Sequence, residues 1–197
     1  MTSPEASVAD ALLLTRRELD TLVDRVLTES AAGTAPNPLE AVAELIASAD
    51  RVFVVGAGRS GLALRMTAMR LMHLGLDVHV VGEVTTPAIA AGDVLLTASG
   101  SGTTGAIVRA AETAAGAEAR IAVFTTAAAS PLASLATVVV VVPAAEKRDR
   151  SEAASAQYAG SLFEQIVVLL GDALFHALWK RSGASADELW PRHANLE

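Results

Sequence analysis

The sequence predicts an α/β fold: a three-layer αβα sandwich around a five-stranded parallel sheet, with N-terminal helices before it and a long C-terminal helix after it. Three observations carry this reading. Short apolar runs rich in β-branched residues recur at positions 51–55, 78–81, 94–98, 121–125 and 138–142. Helical periodicity fills much of the space between the first four runs, at 59–74 and 103–115, and a shorter helix follows at 131–135. The runs hardly alternate with polar residues, as strands covered on both faces of a parallel sheet do not.

Taken in order, residues 7–31 place Leu12, Leu13, Leu19, Leu22, Val23, Val26 and Leu27 at helical spacing. A turn-rich break at 32–36 follows. Asn37, Pro38 and Glu40 then make a helix start, with the amide at the cap, proline at the first position and an acid at the third. That helix should end near Asp50. Gly75 and Gly116 are expected to stop the two helices inside the sheet region, and Ser130 to cap the short one. The polar stretch 143–156 reads as an exposed loop. A helix from about Ser161 to Arg181 is apolar nearly all round, which predicts one side against the sheet and another against a second subunit. The tail, 185–197, holds a short helix and then RHANLE.

The chain has 197 residues, enough for one packed domain with extensions. The natural division is an N-terminal helical extension, 1–50, and an α/β domain with its C-terminal helix and tail, 51–197. Apolar residues make up 52%, mostly Ala and Val, and no unbroken apolar run approaches the ~18 residues of a membrane-spanning helix. The first residues, MTSPEASVAD, lack the plan of a signal peptide. Cysteine is absent, so disulfides and thiolate chemistry are excluded. These features imply a cytoplasmic protein. A net charge of −7 with scattered Lys and Arg argues against nucleic acid as a partner. An anionic small molecule remains compatible, because a local cup of N–H donors outweighs a diffuse negative background.

Two loops could hold such an anion. The third run empties into Ser99-Gly100-Ser101-Gly102-Thr103-Thr104 and then a helix. Glycines let successive N–H groups turn inward, the helix adds its positive end, and the hydroxyls complete a neutral, donor-rich cup suited to a phosphate ester. Capping alone would explain one of those hydroxyls, not the whole run. The first loop, Gly56-Ala57-Gly58-Arg59-Ser60-Gly61, satisfies G-x-G-x-x-G between a strand and a helix, and Glu83 falls near the place of a ribose-binding acid. A nicotinamide-dependent enzyme is thus a rival reading. It is weakened by Arg59 on the pyrophosphate's path, by the better cup downstream and by the lack of room for a substrate domain.

The two loops and the strand spacing resemble the sugar isomerase (SIS) domain, which binds phosphorylated sugars. GAGRSGLALRM, MRLMHLGLDVHVVGE, TTPAI, ASGSGTT, SLFEQ and RHANLE together resemble the 6-phospho-3-hexuloisomerase family over roughly residues 50–197. The resemblance implies isomerisation of 3-hexulose 6-phosphate to fructose 6-phosphate, the second step of formaldehyde fixation by the ribulose monophosphate route. It also implies no metal or nucleotide cofactor, and a homo-dimer or tetramer. Two departures stand out: Thr103 replaces a frequent glutamate, and Tyr158-Ala159 replaces a frequent Pro-Met.

Moving the carbonyl from C3 to C2 removes the proton on C2 and returns one to C3 through a cis-enediol, so one base over the plane of the intermediate can serve both carbons. A 3-ketose blocked at O6 can close only a strained four-membered ring, and therefore arrives open-chain. Glu164 is the candidate base. Ser161 and Glu164 also fit a capping box, S-x-x-E, which would make the carboxylate merely structural. The resemblance favours catalysis. His193 in RHANLE is the candidate acid or proton shuttle, and a tail can reach a neighbouring subunit. Ser99, Gly100, Ser101 and Thr104 are expected to hold the phosphate, with Arg59 and Ser60 at the sugar oxygens. His73, His79 and His176 read as structural, and the four histidines show no metal-ligand spacing. Two other readings use the same fold: a non-catalytic sugar-phosphate sensor, and an isomerase of other phosphosugars.

Overall fold

The computed structural model describes residues 7–32, 36–145 and 155–196. The acidic first residues, most of the expected break at 32–36, most of the expected loop at 143–156 and the last residue of RHANLE lie outside them. Helix α1 spans Val8–Ala31 and α2 spans Pro38–Ala47. The order then runs β1 (Val52–Gly56), α3 (Gly58–Leu74), β2 (Val78–Val80), β3 (Val94–Ala98), α4 (Gly105–Gly116), β4 (Arg120–Thr125), α5 (Pro131–Ser134) and β5 (Val138–Val141). Helix α6 (Ser161–Ser182), α7 (Ala186–Leu189) and a 3-10 turn (Trp190–Arg192) complete it.

All five strands are parallel, in the order β2-β1-β3-β4-β5. Period-2 geometry sorts each strand between two layers. Val52, Val54, Leu96, Ala98, Ala122 and Phe124 face a core shared with α1, α2, α3 and α6. Phe53, Leu95, Ile121 and Val123 face a smaller one built with α4 and α5. Three layers with a five-stranded parallel sheet are what the sequence predicts. Asn37 caps α2 as expected, its Oδ1 accepting from the Leu39 N–H at 2.9 Å. Although Asp172 and His176 interrupt its apolar run, α6 is long and apolar enough to cross a membrane by length and composition; Leu162, Phe163, Ile166, Val167 and Leu170 place it in the main core.

Helix α4 differs at both ends from the sequence expectation. It starts at Gly105 rather than Thr103, because Thr104 stays extended and turns its hydroxyl to Ser99. At the other end Gly116 remains helical. The Ala119 N–H closes back on the Ala114 carbonyl at 3.0 Å, which puts the left-handed residue at Glu118, φ 58°.

The amino ends of the strands are sealed. Arg51 donates to Asp93 through Nε (3.0 Å) and Nη2 (2.6 Å), and the Ala90 N–H donates to the same carboxylate at 2.8 Å. Burial pushes the Asp93 carboxyl up, but these donors outweigh it and hold the group below its ordinary range. Arg120 spans from Ser48 to the Gly92 carbonyl beside this pair.

Candidate active site

The opposite, carboxyl end of the sheet is open. In the β1–β3 pairing Gly56 is opposite Ala98, so the loops after these strands emerge side by side. The first loop turns sharply. A Cβ on Gly61 would lie 2.4 Å from the Gly56 carbonyl oxygen, so this glycine serves the crossing of strand and helix. The dinucleotide-like spacing thus has a local packing cause. Between the loops and the start of α6 lies a cleft of about 230 Å³, bordered by Arg59, Ser60, Ser99, Ser101, Thr104 and Glu164. Typical drug-sized sites run roughly 300–1,000 Å³, so this one suits a small ester better than a dinucleotide.

The second loop is pinned from behind. The Gly100 carbonyl accepts from the Thr125 and Thr126 hydroxyls, at 3.0 and 2.8 Å, and from the Thr126 N–H at 3.0 Å. Peptide planarity sets the Ser101 N–H opposite that carbonyl, away from β4. Gly102 has φ 61°, and a Cβ there would sit 2.0 Å from the Ser130 Oγ. Ser101 Oγ accepts from the Thr103 N–H (3.3 Å) and lies 3.0 Å from the Thr103 hydroxyl, which frees its own proton to donate elsewhere. Ser99 Oγ and Thr104 Oγ1 are 3.2 Å apart. No side chain caps α4, so its first amides keep their capacity for an anion.

The capping-box alternative for Glu164 fails. Gly160, not Ser161, stands at the N-cap of α6, and no side chain caps it. Ser161 Oγ donates to the Tyr158 carbonyl at 2.8 Å and accepts from Arg59 Nη1 at 3.0 Å. The Glu164 carboxylate turns into the cleft, where Oε2 lies 3.0 Å from Arg59 Nη1. Glu164 is mostly shielded, at 16% exposed, while Arg59 is 58% exposed. A true capping box does occur, further on, at Ser185 and Glu188.

Arg59, Ser60, Ser99, Gly100, Ser101, Thr104 and Glu164 therefore converge. His193 does not join them within one chain. Its ring stacks on His73 with centroids 4.0 Å apart, beside Trp190, at the C-terminal end of α3. Roughly 20 Å of helix separate Arg59 from His73. His73 is buried and its Nδ1 has no partner among the described residues; burial first, then nearby His193 and Arg70, hold it below its ordinary value. Glu83 pairs with Arg65 at 2.6 Å on the surface. Among the described residues no group of three His, Asp or Glu could hold a metal ion.

Sequence reasoning missed the Arg59–Glu164 contact, the Phe163 and Ala145 walls, and the support from Thr125, Thr126 and Ser130. Only the threonine pair left a signal, two hydroxyls at the carboxyl end of a strand. The others depend on how distant segments meet.

A family profile for the SIS domain matches residues 45–169. A 3-hexulose-6-phosphate isomerase of Mycobacterium gastri is 57% identical over 176 residues, which are 89% of this chain and 88% of that protein. One from Bacillus subtilis is 36% identical, over 87% of this chain and 93% of its own length. Among solved structures, a hypothetical protein of Methanococcus jannaschii superposes with a TM-score of 0.80 at 26% identity. That match covers 95% of this chain and 99% of the other, for which a molecular function of 3-hexulose-6-phosphate isomerase was inferred.

Proposed function

The chain belongs to the SIS-domain family, and from that premise we propose that it isomerises 3-hexulose 6-phosphate to fructose 6-phosphate with Glu164 as the base. The observation that carries this reading is a shared cleft: the hydroxyl-rich loop after β3 and the Glu164 carboxylate border the same space. Ser99, Ser101 and Thr104, with the amides opening α4, take the phosphate. Glu164 removes the C2 proton, exchanges it with solvent and returns a proton to C3 of the enediol. Arg59 and Ser60 face the sugar oxygens on which charge develops. The partly exposed Arg59–Glu164 pair stabilises the fold by about 0–1 kcal/mol at most, so a substrate oxygen can take over the guanidinium at small cost.

A second copy completes the site. Leu62, Met66 and Met69 form an exposed apolar stripe on α3, flanked by Leu169 of α6. Met66 lies midway between Arg59 and His73. Antiparallel packing of two α3 helices about a two-fold at Met66 brings the His73–His193 stack of each chain toward the Arg59 of the other. His193 then serves as the acid or shuttle for the sugar oxygens.

The test supplies 3-hexulose 6-phosphate in heavy water. Fructose 6-phosphate should form with solvent deuterium at C3, and Glu164→Gln should stop it while the product still binds. Binding without conversion by the unaltered protein would make the chain a sensor. Inactive Glu164→Gln and His193→Gln chains should regain activity when mixed; a monomeric active protein would remove the second half of the proposal.

A further inference from the structure

Helix α1 precedes the α/β region and contributes nothing to the lining of the cleft, yet it holds both segments that approach the cleft beside α6. Glu18 Oε1 accepts from the Ala156 N–H at 2.8 Å. Its Oε2 accepts from Ser155 Oγ at 2.7 Å and from Gln157 Nε2 at 2.9 Å. Seven residues on, and so on the same face of the helix, Arg25 Nη1 donates to the Pro143 carbonyl at 2.9 Å. Pro143 is two residues from Ala145, and Gln157 is three from Gly160; both Ala145 and Gly160 border the cleft.

The Glu18 contact also reaches α6 directly. Gln157 Oε1 accepts from Gln165 Nε2 at 2.7 Å, so a chain of three side chains links α1 to the neighbour of Glu164. Leu22 and Leu162 bring the same two helices together in the main core. Partial burial pushes the Glu18 carboxyl up, but Ser155, the Ala156 amide and Gln157 outweigh it and hold the group below its ordinary value, as donors to a charged acceptor do. An ionised carboxylate taking three hydrogen bonds makes a stiff anchor.

We infer that Glu18 is a positioning residue for the isomerase site: it fixes the turn 155–160 and thereby the angle at which α6 presents Glu164. Arg25 does the same for the other segment, at Pro143 and Ala145. The inference rests on the assignment of Glu164 as the base. Among the described residues no hydrogen bond joins the phosphate loop after β3 to this anchor, so the two halves of the site should respond separately to its loss.

The experiment compares Glu18→Ala, Glu18→Gln and Asp20→Asn, the last an exposed control on the same helix. Glu18→Ala should lower kcat about tenfold with KM within about twofold, since small misplacements of a catalytic group are costly. Glu18→Gln keeps an acceptor oxygen and should recover part of the rate, and Asp20→Asn should match the unaltered protein. Amide hydrogen exchange should quicken at 156–165 in Glu18→Ala and stay unchanged at 99–106. Unchanged kcat in Glu18→Ala, or equal loss of exchange protection at both segments, would overturn the inference. The exchange measurement needs no turnover, so it still decides the anchoring if the unaltered protein proves inactive and the assigned reaction falls.

Discussion

The two ends of the parallel sheet each carry an arginine–carboxylate pair, and the pairs differ in almost everything else. At the amino end Asp93 is 1% exposed, grips Arg51 through two nitrogens and takes a backbone amide besides. At the carboxyl end Arg59 meets Glu164 through a single nitrogen, with the guanidinium more than half exposed. Removing one partner of a buried pair strands a charge; loosening a half-exposed pair costs little. The first arrangement closes the fold, and the second leaves a carboxylate shielded but loosely held, as the proposed base requires. An arginine paired with a carboxylate thus closes the sheet at one end and, on the proposed reading, serves chemistry at the other.

The strongest way to break this comparison is Glu164→Gln. Loss of a positioned base should lower kcat by about 10³-fold, within the usual span for proton transfer, while fructose 6-phosphate binding by calorimetry changes little. Next comes Asp93→Ala. Denaturant unfolding should show a clear loss of stability, because Arg51 and the Ala90 amide lose their shared acceptor, with kcat of the folded enzyme preserved. A large kcat effect there would mean that the ends are not independent.

Smaller effects sharpen the contrast. Gly102→Ala puts a Cβ against Ser130 at a φ of 61° and should distort the phosphate loop. Strain of about 1–2 kcal/mol is expected, appearing as a raised KM for the sugar phosphate rather than a lowered kcat. The smallest concerns His73, which lies at the sealed end. Its folded pKa is depressed below the ordinary 6.5. On acidification the unfolded chain therefore takes up a proton that the folded chain refuses. Stability should fall as pH drops below about 6.5, by at most about 1.4 kcal/mol per unit of pH, with no effect above it. In His73→Phe the thermal midpoint should lose this part of its pH dependence.

Much of this molecule is legible along the chain. Periodicity alone separates the strands 52–56 and 94–98 from the helices after them, because burial on both faces leaves no room for polar alternation. The cup at Ser99–Thr104 is legible because a run of glycines and hydroxyls exceeds what a helix cap needs. Two local patterns gave way to other partners. Glu164 satisfies the S-x-x-E pattern, yet Ser161 turns to Tyr158 and Arg59, and the carboxylate is left to the cleft. Helix α4 starts late because Thr104 answers Ser99, five residues back.

The amino-acid sequence by itself determined the alternation of strand and helix and the glycine–hydroxyl loop, since each depends on spacing within a few residues, whereas Glu164 as the candidate base rested on the family resemblance. Tertiary structure decided which partner each charge takes. Arg59 reaches α6 across about a hundred positions of sequence, Glu18 reaches the turn before it across more, and His193 stacks on His73 far from the cleft of its own chain. Such meetings are set by how the layers close on the core, which no local pattern encodes.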